Sequence, residues 1–267
     1  MPHADVGVFG GSGLYSFLDD VKDVDIDTPW GPPAAPIAIG SIDDRRVAFL
    51  PRHGRRHHLA PHRINYRANL WALRELGVTR ILSPFACGSL QRRIAPGDLV
   101  MCDQLVDRTW GRADTYFDTP QVVHVSWADP YCDELRAISL AAAQAEGATV
   151  HDGGTVVVIQ GPRFSTKSES TWFRGQGWDV VNMTQYPEAY LARELGICLS
   201  AMAVVTDYDA GIDGVAPVSY DEVMRVFEAN IERLRAILAR AIAAIPTKRS
   251  CACSDATGGV SPTAPGA

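Results

Sequence analysis

The sequence has no apolar run approaching the ~20 residues that a membrane-spanning helix needs. It has no basic-then-apolar leader at its N-terminus. Positive charge is not in excess either. The 25 Lys and Arg against 31 Asp and Glu leave a net charge of −6 and a pI near 5.6. A duplex-binding protein normally carries a basic balance or a basic patch. The one local cluster, Arg52-His53-Gly54-Arg55-Arg56-His57-His58, is short. No internal repeat is visible. Cysteine is scarce, with six in 267 residues, and four of these are scattered through apolar segments. A free Cys there behaves as a small hydrophobe. Only Cys251 and Cys253 lie close together, and no further zinc ligands follow them. The expectation is solvated thiols on a tail, with no metal, in a cytoplasmic, enzyme-like protein that has neither a nucleic-acid nor a membrane partner.

What is present is a 46% hydrophobic chain long enough for one well-buried core. Val6–Phe9 reads as a short strand running into Gly10-Gly11-Ser12-Gly13. Residues 36–50 read as a hairpin turning at Asp43-Asp44. Leu70, Leu73 and Leu76 give helical spacing over 66–76, closed by Gly77. Further strands are expected at 78–82, 155–159, 178–182 and 197–205. Helices are expected at 133–146, from 165, from 187, and as one long helix from 220. The last opens on the capping-box spacing of Ser219 and Glu222. Alternating strands and helices make the class α/β, with a single domain over 1–249. The Gly-, Ser- and Pro-rich 250–267 is expected to be a mobile tail.

Five expected strand ends carry residues suited to holding a ligand. The glycines of 10–13 let backbone amides approach an anion, and Ser12 adds a hydroxyl. Ser16 occupies the place of the third glycine of a dinucleotide fingerprint, and no Gly-Lys-Ser/Thr follows for a P-loop. Arg52 and His53 end the second arm of the hairpin, where a guanidinium fork matches phosphate. Small residues around Ala86 allow close approach to backbone. Thr184 follows the strand at 178–182. Asp207 and Asp209 end the run Ala201–Val205. Two such acids can hold a hard cation, cap a helix, sit in a polar loop, or act as a proton donor and purine clamp. In open α/β sheets ligands collect beyond the strand carboxyl ends.

The chain resembles the methylthioadenosine phosphorylases, within the trimeric purine nucleoside phosphorylase superfamily. The resemblance rests on GVFGGSGLY (7–15), LPRHGRRH (50–57), NYRANLWAL (65–73), ACGSL (86–90) and GDLVMCDQLVDRT (97–109). It continues through GPRFSTKSES (161–170), VVNMTQYPEAYLARELGIC (180–198) and TDYDAG (206–211). It implies a central mixed sheet flanked by helices, a homotrimer, and phosphorolysis of a 5′-substituted adenosine to adenine and a pentose 1-phosphate. Inorganic phosphate is a co-substrate, and no cofactor or metal is needed. Ser12, Arg52, His53, Thr184 and the backbone of Ala86 would hold phosphate. Met183 would pack under the ribose, and Phe164 would lie along the purine beside Ser165. Asp207 would protonate N7, and Asp209 would read the 6-amino group. His124 would reach a neighbouring subunit's site. Tyr220, beside Val223, would line the 5′ end of the pocket.

Three positions depart from the family pattern. Phe85 stands where a Thr is usual, so one phosphate-binding hydroxyl is missing. Tyr220 replaces a small apolar residue, and the tail after Ala244 is unlike that of the animal enzymes. Two other functions stand beside the main one. A 6-oxopurine or methylthioinosine phosphorylase is opposed by Ser165 and Asp207. A nucleoside-binding protein without turnover is supported by Phe85 alone. Whether such an enzyme serves methionine and purine salvage or specialised nucleoside metabolism is left open by the sequence.

Overall fold

The computed structural model describes residues 2–10, 19–118, 122–210, 212, 214 and 218–264. Eleven strands form one mixed sheet among the described residues. The first four are β1 (Val6–Gly10), β2 (Asp19–Val24), β3 (Ile37–Ile42) and β4 (Arg45–Pro51). After them come β5 (Arg80–Ser89), β6 (Leu99–Cys102), β7 (Gln104–Arg108), β8 (Val150–Asp152), β9 (Thr155–Ile159), β10 (Val180–Asn182) and β11 (Cys198–Asp207). Nine of the ten residues in β5 and all ten in β11 are buried. Such runs lack polar alternation because both faces are covered.

The sheet runs β2-β3-β4-β1-β5-β10-β9-β7 and branches at β5. β11 lies parallel to β5 from Arg80 to Gly88, whereas β10 meets it antiparallel only at Gly88 and Ser89. The branch brings the ends of β5, β10 and β11 to one place. Helices cover both faces. α1 (Tyr66–Glu75) and α4 (Gln185–Glu194) supply Leu70, Leu73 and Leu191 to one apolar cluster. α2 (Asp133–Ala145) and α6 (Ile231–Ala244) supply Leu135, Leu234 and Leu238 to another. In α6 the buried positions Leu234, Ile237, Leu238, Ala241 and Ile242 follow helical spacing. Each Leu or Ile there contributes ~1.5–3 kcal/mol by burial. The remaining helices are α3 (Lys167–Gly175) and α5 (Tyr220–Ala229). No described helix is long and apolar enough to cross a membrane.

The structure differs from the sequence reading in three ways that matter for function. The strand expected at 78–82 continues to Ser89, so Phe85–Ser89 lie within β5 rather than after it. Small and apolar side chains there fit between two neighbouring strands. The long C-terminal helix is broken at Asn230, whose side chain turns back to donate to the Val226 carbonyl at 2.9 Å. The start of the segment expected to be a mobile tail is docked at Ser250, Cys251 and Cys253 rather than free. Glu134, in the first turn of α2, accepts hydrogen bonds from the Ser250 and Cys251 amides at 2.8 and 3.0 Å. Cys253 is buried, which corrects the expectation of solvated tail thiols.

Candidate active site

A cavity of about 710 Å³ opens beyond the ends of β1, β4, β5, β10 and β11 and is bounded on another side by α5 and the start of α6. Nine of the residues singled out in the sequence line it. Arg52, His53, Ala86 and Thr184 form one group, Phe164, Met183 and Val223 a second, and Asp207 and Asp209 a third. Ser12 lies outside the described residues, although Gly10, just before it, is on the wall.

Three predicted residues are not on the wall. Ser165 is buried behind it. His124 is exposed. Tyr220 is 55% exposed, at the first position of α5. The wall of that helix is made by Val223, Met224 and Phe227. Tyr220 shares their helical face but sits one turn nearer the N-terminus, which carries it past the cavity. The expectation that it lines the 5′ end of the pocket is therefore corrected.

Asp207 ends β11 where its pairing with β5 slips between Val205 and Asp207. Such an irregularity re-aims a side chain at a sheet's end. The Thr206 hydroxyl donates to Asp207 Oδ2 at 2.7 Å, and the Asp209 amide donates to Oδ1 at 2.7 Å. Burial raises the Asp207 pKa to about 6, outweighing those two hydrogen bonds, and the charges of Asp209 and Glu222 push the same way. A Cβ at Gly88 would stand 2.9 Å from Asp207 Oδ1 and 3.0 Å from Asp209 Cβ. Only glycine lets β5 pass this close to the pair.

Asp209 adopts a left-handed φ of 46°, a conformation that Asp tolerates better than most residues. Burial raises its pKa as well, opposed by the nearby hydroxyls of Ser170 and Ser165. Asp209 Oδ2 and Ser165 Oγ are nonetheless buried without a full hydrogen bond. Buried polar atoms normally have partners, and an orphan pair calls for an explanation. A polar ligand edge would supply it.

Arg52 is not the open fork that the sequence suggests. It is 4% exposed and grips Glu188 on α4 with Nε at 2.8 Å and Nη2 at 2.9 Å. Nη1 donates to the Pro84 carbonyl and Nη2 also to Ser83 Oγ, each at 2.9 Å. The Ser83 hydroxyl in turn donates to Glu188 at 2.6 Å. A buried carboxylate thus takes most of the guanidinium's donors, and its charge is balanced inside the protein.

His53 Nδ1 lies 2.9 Å from the Leu59 carbonyl oxygen. A carbonyl only accepts, so Nδ1 carries the proton and Nε2 is left as an acceptor. Burial pushes the His53 pKa down to about 3, helped by His57 and Arg52, so the ring is neutral. His57 stacks on it with centroids 4.2 Å apart.

Sequence reasoning missed three residues that hold this site together. Asn182 ends β10. Its Oδ1 accepts from the Thr184 and Gln185 amides at 2.7 and 2.8 Å, and its Nδ2 donates to the Ala86 carbonyl at 3.3 Å. One amide thereby ties β5 to the turn that presents Thr184. Glu188 is the second, as the partner of Arg52. Arg112 is the third, donating to the carbonyls of Gln160 at 2.9 Å, Met183 at 3.0 Å and Tyr186. Their local sequence carries no sign of these roles, because each acts across long stretches of chain. Asn182→Ala is expected to leave three backbone groups without their partner. Each such loss costs ~1–3 kcal/mol when buried. Thermal denaturation measures the loss, and an unchanged melting temperature would show that these three groups find other partners.

The chain is similar to known phosphorylases. The sequence model of the Phosphorylase superfamily matches residues 5–243. The chain is 55% identical to a protein of Streptomyces coelicolor named purine nucleoside phosphorylase, over 97% of this chain and 96% of the relative. It is 53% identical to an S-methyl-5′-thioadenosine phosphorylase of Mycolicibacterium smegmatis, over 92% and 93%. A crystal structure of a methylthioadenosine phosphorylase from an Antarctic soil metagenomic library superposes with a TM-score of 0.92 at 38% identity, covering 96% and 92% of the two chains. The methylthioadenosine phosphorylase of Schistosoma mansoni in complex with adenine gives 0.90 at 36% identity, covering 96% of each. With its branched mixed sheet and acid-bearing cavity at the strand ends, the chain belongs to the phosphorylase superfamily.

Proposed function

We propose that the protein catalyses phosphorolysis of S-methyl-5′-thioadenosine, or of another 5′-substituted 5′-deoxyadenosine, to adenine and the 5-substituted pentose 1-phosphate. The observation that carries this reading is Asp207, a buried strand-end acid with a pKa raised to about 6 beside a second acid. Breaking an N-glycosidic bond leaves positive charge on the sugar and negative charge on the base. A phosphate oxygen attacks C1′ and the C1′–N9 electron pair passes to the purine. A proton from Asp207 reaches N7. Asp209 Oδ2, which lacks a full hydrogen bond, suits the amino edge of adenine, with Ser165 buried behind it. Phe164, Met183 and Val223 supply apolar wall for the base, ribose and 5′ substituent. Nucleophile and acid are then both accounted for, so the reading includes no cofactor.

Phosphate would sit by Thr184, His53, the remaining Nη1 hydrogen of Arg52 and the backbone near Ala86, with Ser12 adjoining. Neutral His53 presents Nε2 as an acceptor, which fits the one hydroxyl of the phosphate dianion. Phe85 also lines the cavity. Phe85→Thr should supply a donor to phosphate and lower its KM by ~10- to 100-fold, since a hydrogen bond to a charged group contributes ~1.5–3 kcal/mol. Steady-state kinetics at saturating nucleoside measure it, and an unchanged KM would place phosphate away from β5.

A homotrimer belongs to the same reading. His124 is exposed, and Val122 beside it is 71% exposed, a surface suited to meeting a neighbouring subunit's site. Light scattering of the purified protein tests it, and a monomer that turns over at full rate would rule it out. A cytoplasmic setting, with a role in methionine and purine salvage, is also part of the proposal. None of the six cysteines is in a disulfide, which suits a reducing compartment.

A second reading, a phosphorylase of other purine nucleosides with a 6-oxopurine enzyme as the sharpest case, is raised by the Streptomyces relative, which is named only purine nucleoside phosphorylase. Asp207 opposes it, because a carboxylate would repel O6 where a protonated acid serves adenine. The deciding experiment is a panel of methylthioadenosine, adenosine, 5′-halo-5′-deoxyadenosines, inosine and methylthioinosine, each with and without phosphate. Phosphate-dependent adenine release is expected. Turnover of the 6-oxopurines alone would overturn the proposal, and no turnover at all would point to a binding protein.

A further inference from the structure

Four cysteines far apart in the sequence come together at the opposite end of β11 from Asp207. Cys132 is the N-cap residue of α2, Cys198 is the first residue of β11, and Cys251 and Cys253 belong to the docked C-terminal segment. Their four Sγ atoms all lie within 4.8 Å of one another. Cys132, Cys198 and Cys253 are buried, Cys251 is half-buried, and none is in a disulfide. We propose that Cys132, Cys198, Cys251 and Cys253 form a tetrathiolate site that binds one zinc ion and fastens the C-terminal segment to the body of the protein.

The geometry suits that ion. Zinc–sulfur bonds of ~2.3 Å in a tetrahedron set neighbouring sulfurs ~3.8 Å apart. Here Cys198 Sγ and Cys251 Sγ are 3.3 Å apart, and the widest separation is within 4.8 Å, so small shifts of the side chains reach the tetrahedron. Soft thiolate sulfur selects zinc over magnesium or calcium. The surroundings favour negative charge. Arg193 Nη1 donates to Cys253 Sγ at 3.7 Å. The Cys132 thiol makes no capping bond at the N-terminus of α2, where the helix dipole stabilises an anion.

The backbone that carries the ligands is held independently. Glu134 accepts from the Ser250 amide and hydroxyl and from the Cys251 amide. Arg249 Nη1 donates to the Gly196 carbonyl at 2.7 Å, two residues before Cys198. Gly196 has φ +65°, and a Cβ there would meet Ser254 Cα and its carbonyl at 3.4 Å. The chain thus passes tightly enough to keep both thiols of Cys251-Ala252-Cys253 facing inward. β11 spans ten residues between Cys198 and Asp207, or ~30 Å. The ion is therefore structural and takes no part in the reaction proposed above. On binding, it displaces the thiol protons into solvent.

The test is metal analysis of protein produced in zinc-supplemented medium and purified with a reductant. About one zinc per chain is expected. The double variant Cys251→Ser/Cys253→Ser should lose it. That variant should also melt lower by more than ~10 °C while retaining phosphorolysis at moderate temperature. Should the variant fail to fold, cobalt loading of the unaltered protein decides. A thiolate-to-cobalt charge-transfer band with a tetrahedral visible spectrum supports the site, and its absence counts against it. Zinc-free protein with four free thiols overturns the proposal. So does protein whose mass shows two disulfides, or a double variant that keeps its zinc.

Discussion

Replacing Asp207 by Asn lowers the rate of adenosine-type phosphorolysis by ~10²–10⁴-fold, the usual contribution of a general acid. The amide keeps the size of the side chain; its oxygen can still accept from the Asp209 amide, and its nitrogen can donate to the Thr206 hydroxyl, which is free to turn its own proton to the Cys87 carbonyl. What it cannot do is give up a proton to N7. It can, however, bond to an N7–H and O6 edge, so relative preference shifts toward 6-oxopurines. The pH dependence gives a second signature. In the proposed mechanism the active form of Asp207 is the protonated one, and burial raises its pKa to about 6. Above that pH, kcat/KM for the nucleoside should fall with rising pH, by up to tenfold per unit. At pH 7 about a tenth of the free enzyme carries the proton. In Asp207→Asn this alkaline fall should disappear. Full activity in the variant, or an unchanged pH profile, would remove Asp207 from the chemistry.

Arg52→Ala is expected to damage stability as well as phosphate binding. The guanidinium and Glu188 are 5% and 1% exposed as side chains, and their two direct bonds are 2.8 and 2.9 Å long. Breaking a buried pair by removing one partner costs ~3–5 kcal/mol, because the other charge is stranded. Glu188→Ala should cost a similar amount for the same reason. The double variant should then be markedly less destabilised than the sum of the two, and this is the part of the prediction that geometry alone supplies. Denaturant melts of the three proteins measure the coupling. Additive losses would mean that the pair is not formed. Phosphate KM separates the functional share. It should rise in Arg52→Ala beyond its value in Glu188→Ala, where the guanidinium remains.

Much of this protein was determined by sequence pattern alone. The buried faces of β11 and α6 follow from unbroken or helically spaced apolar residues, and such signals are local. The acids Asp207 and Asp209 are visible for the same reason, since they end an apolar run abruptly. So are Arg52 and His53 at the end of a hairpin arm. Only the tertiary structure decided which groups are free to act. Arg52 reads as an available cation until Glu188, 136 residues later, claims its donors. His53 reads only as part of a short basic cluster until burial leaves it neutral with an acceptor nitrogen. Tyr220 reads as a pocket residue until α5 carries it one turn beyond the wall. Asn182 and Arg112 show nothing locally, because their partners come from other strands and loops. The cysteines show the limit most clearly. Cys251 and Cys253 lack neighbouring ligands in sequence, and Cys132 and Cys198 look like filler in apolar segments. Chain spacing fixes which residues share an element. Which elements share a point in space depends on how the sheet branches and where the helices dock.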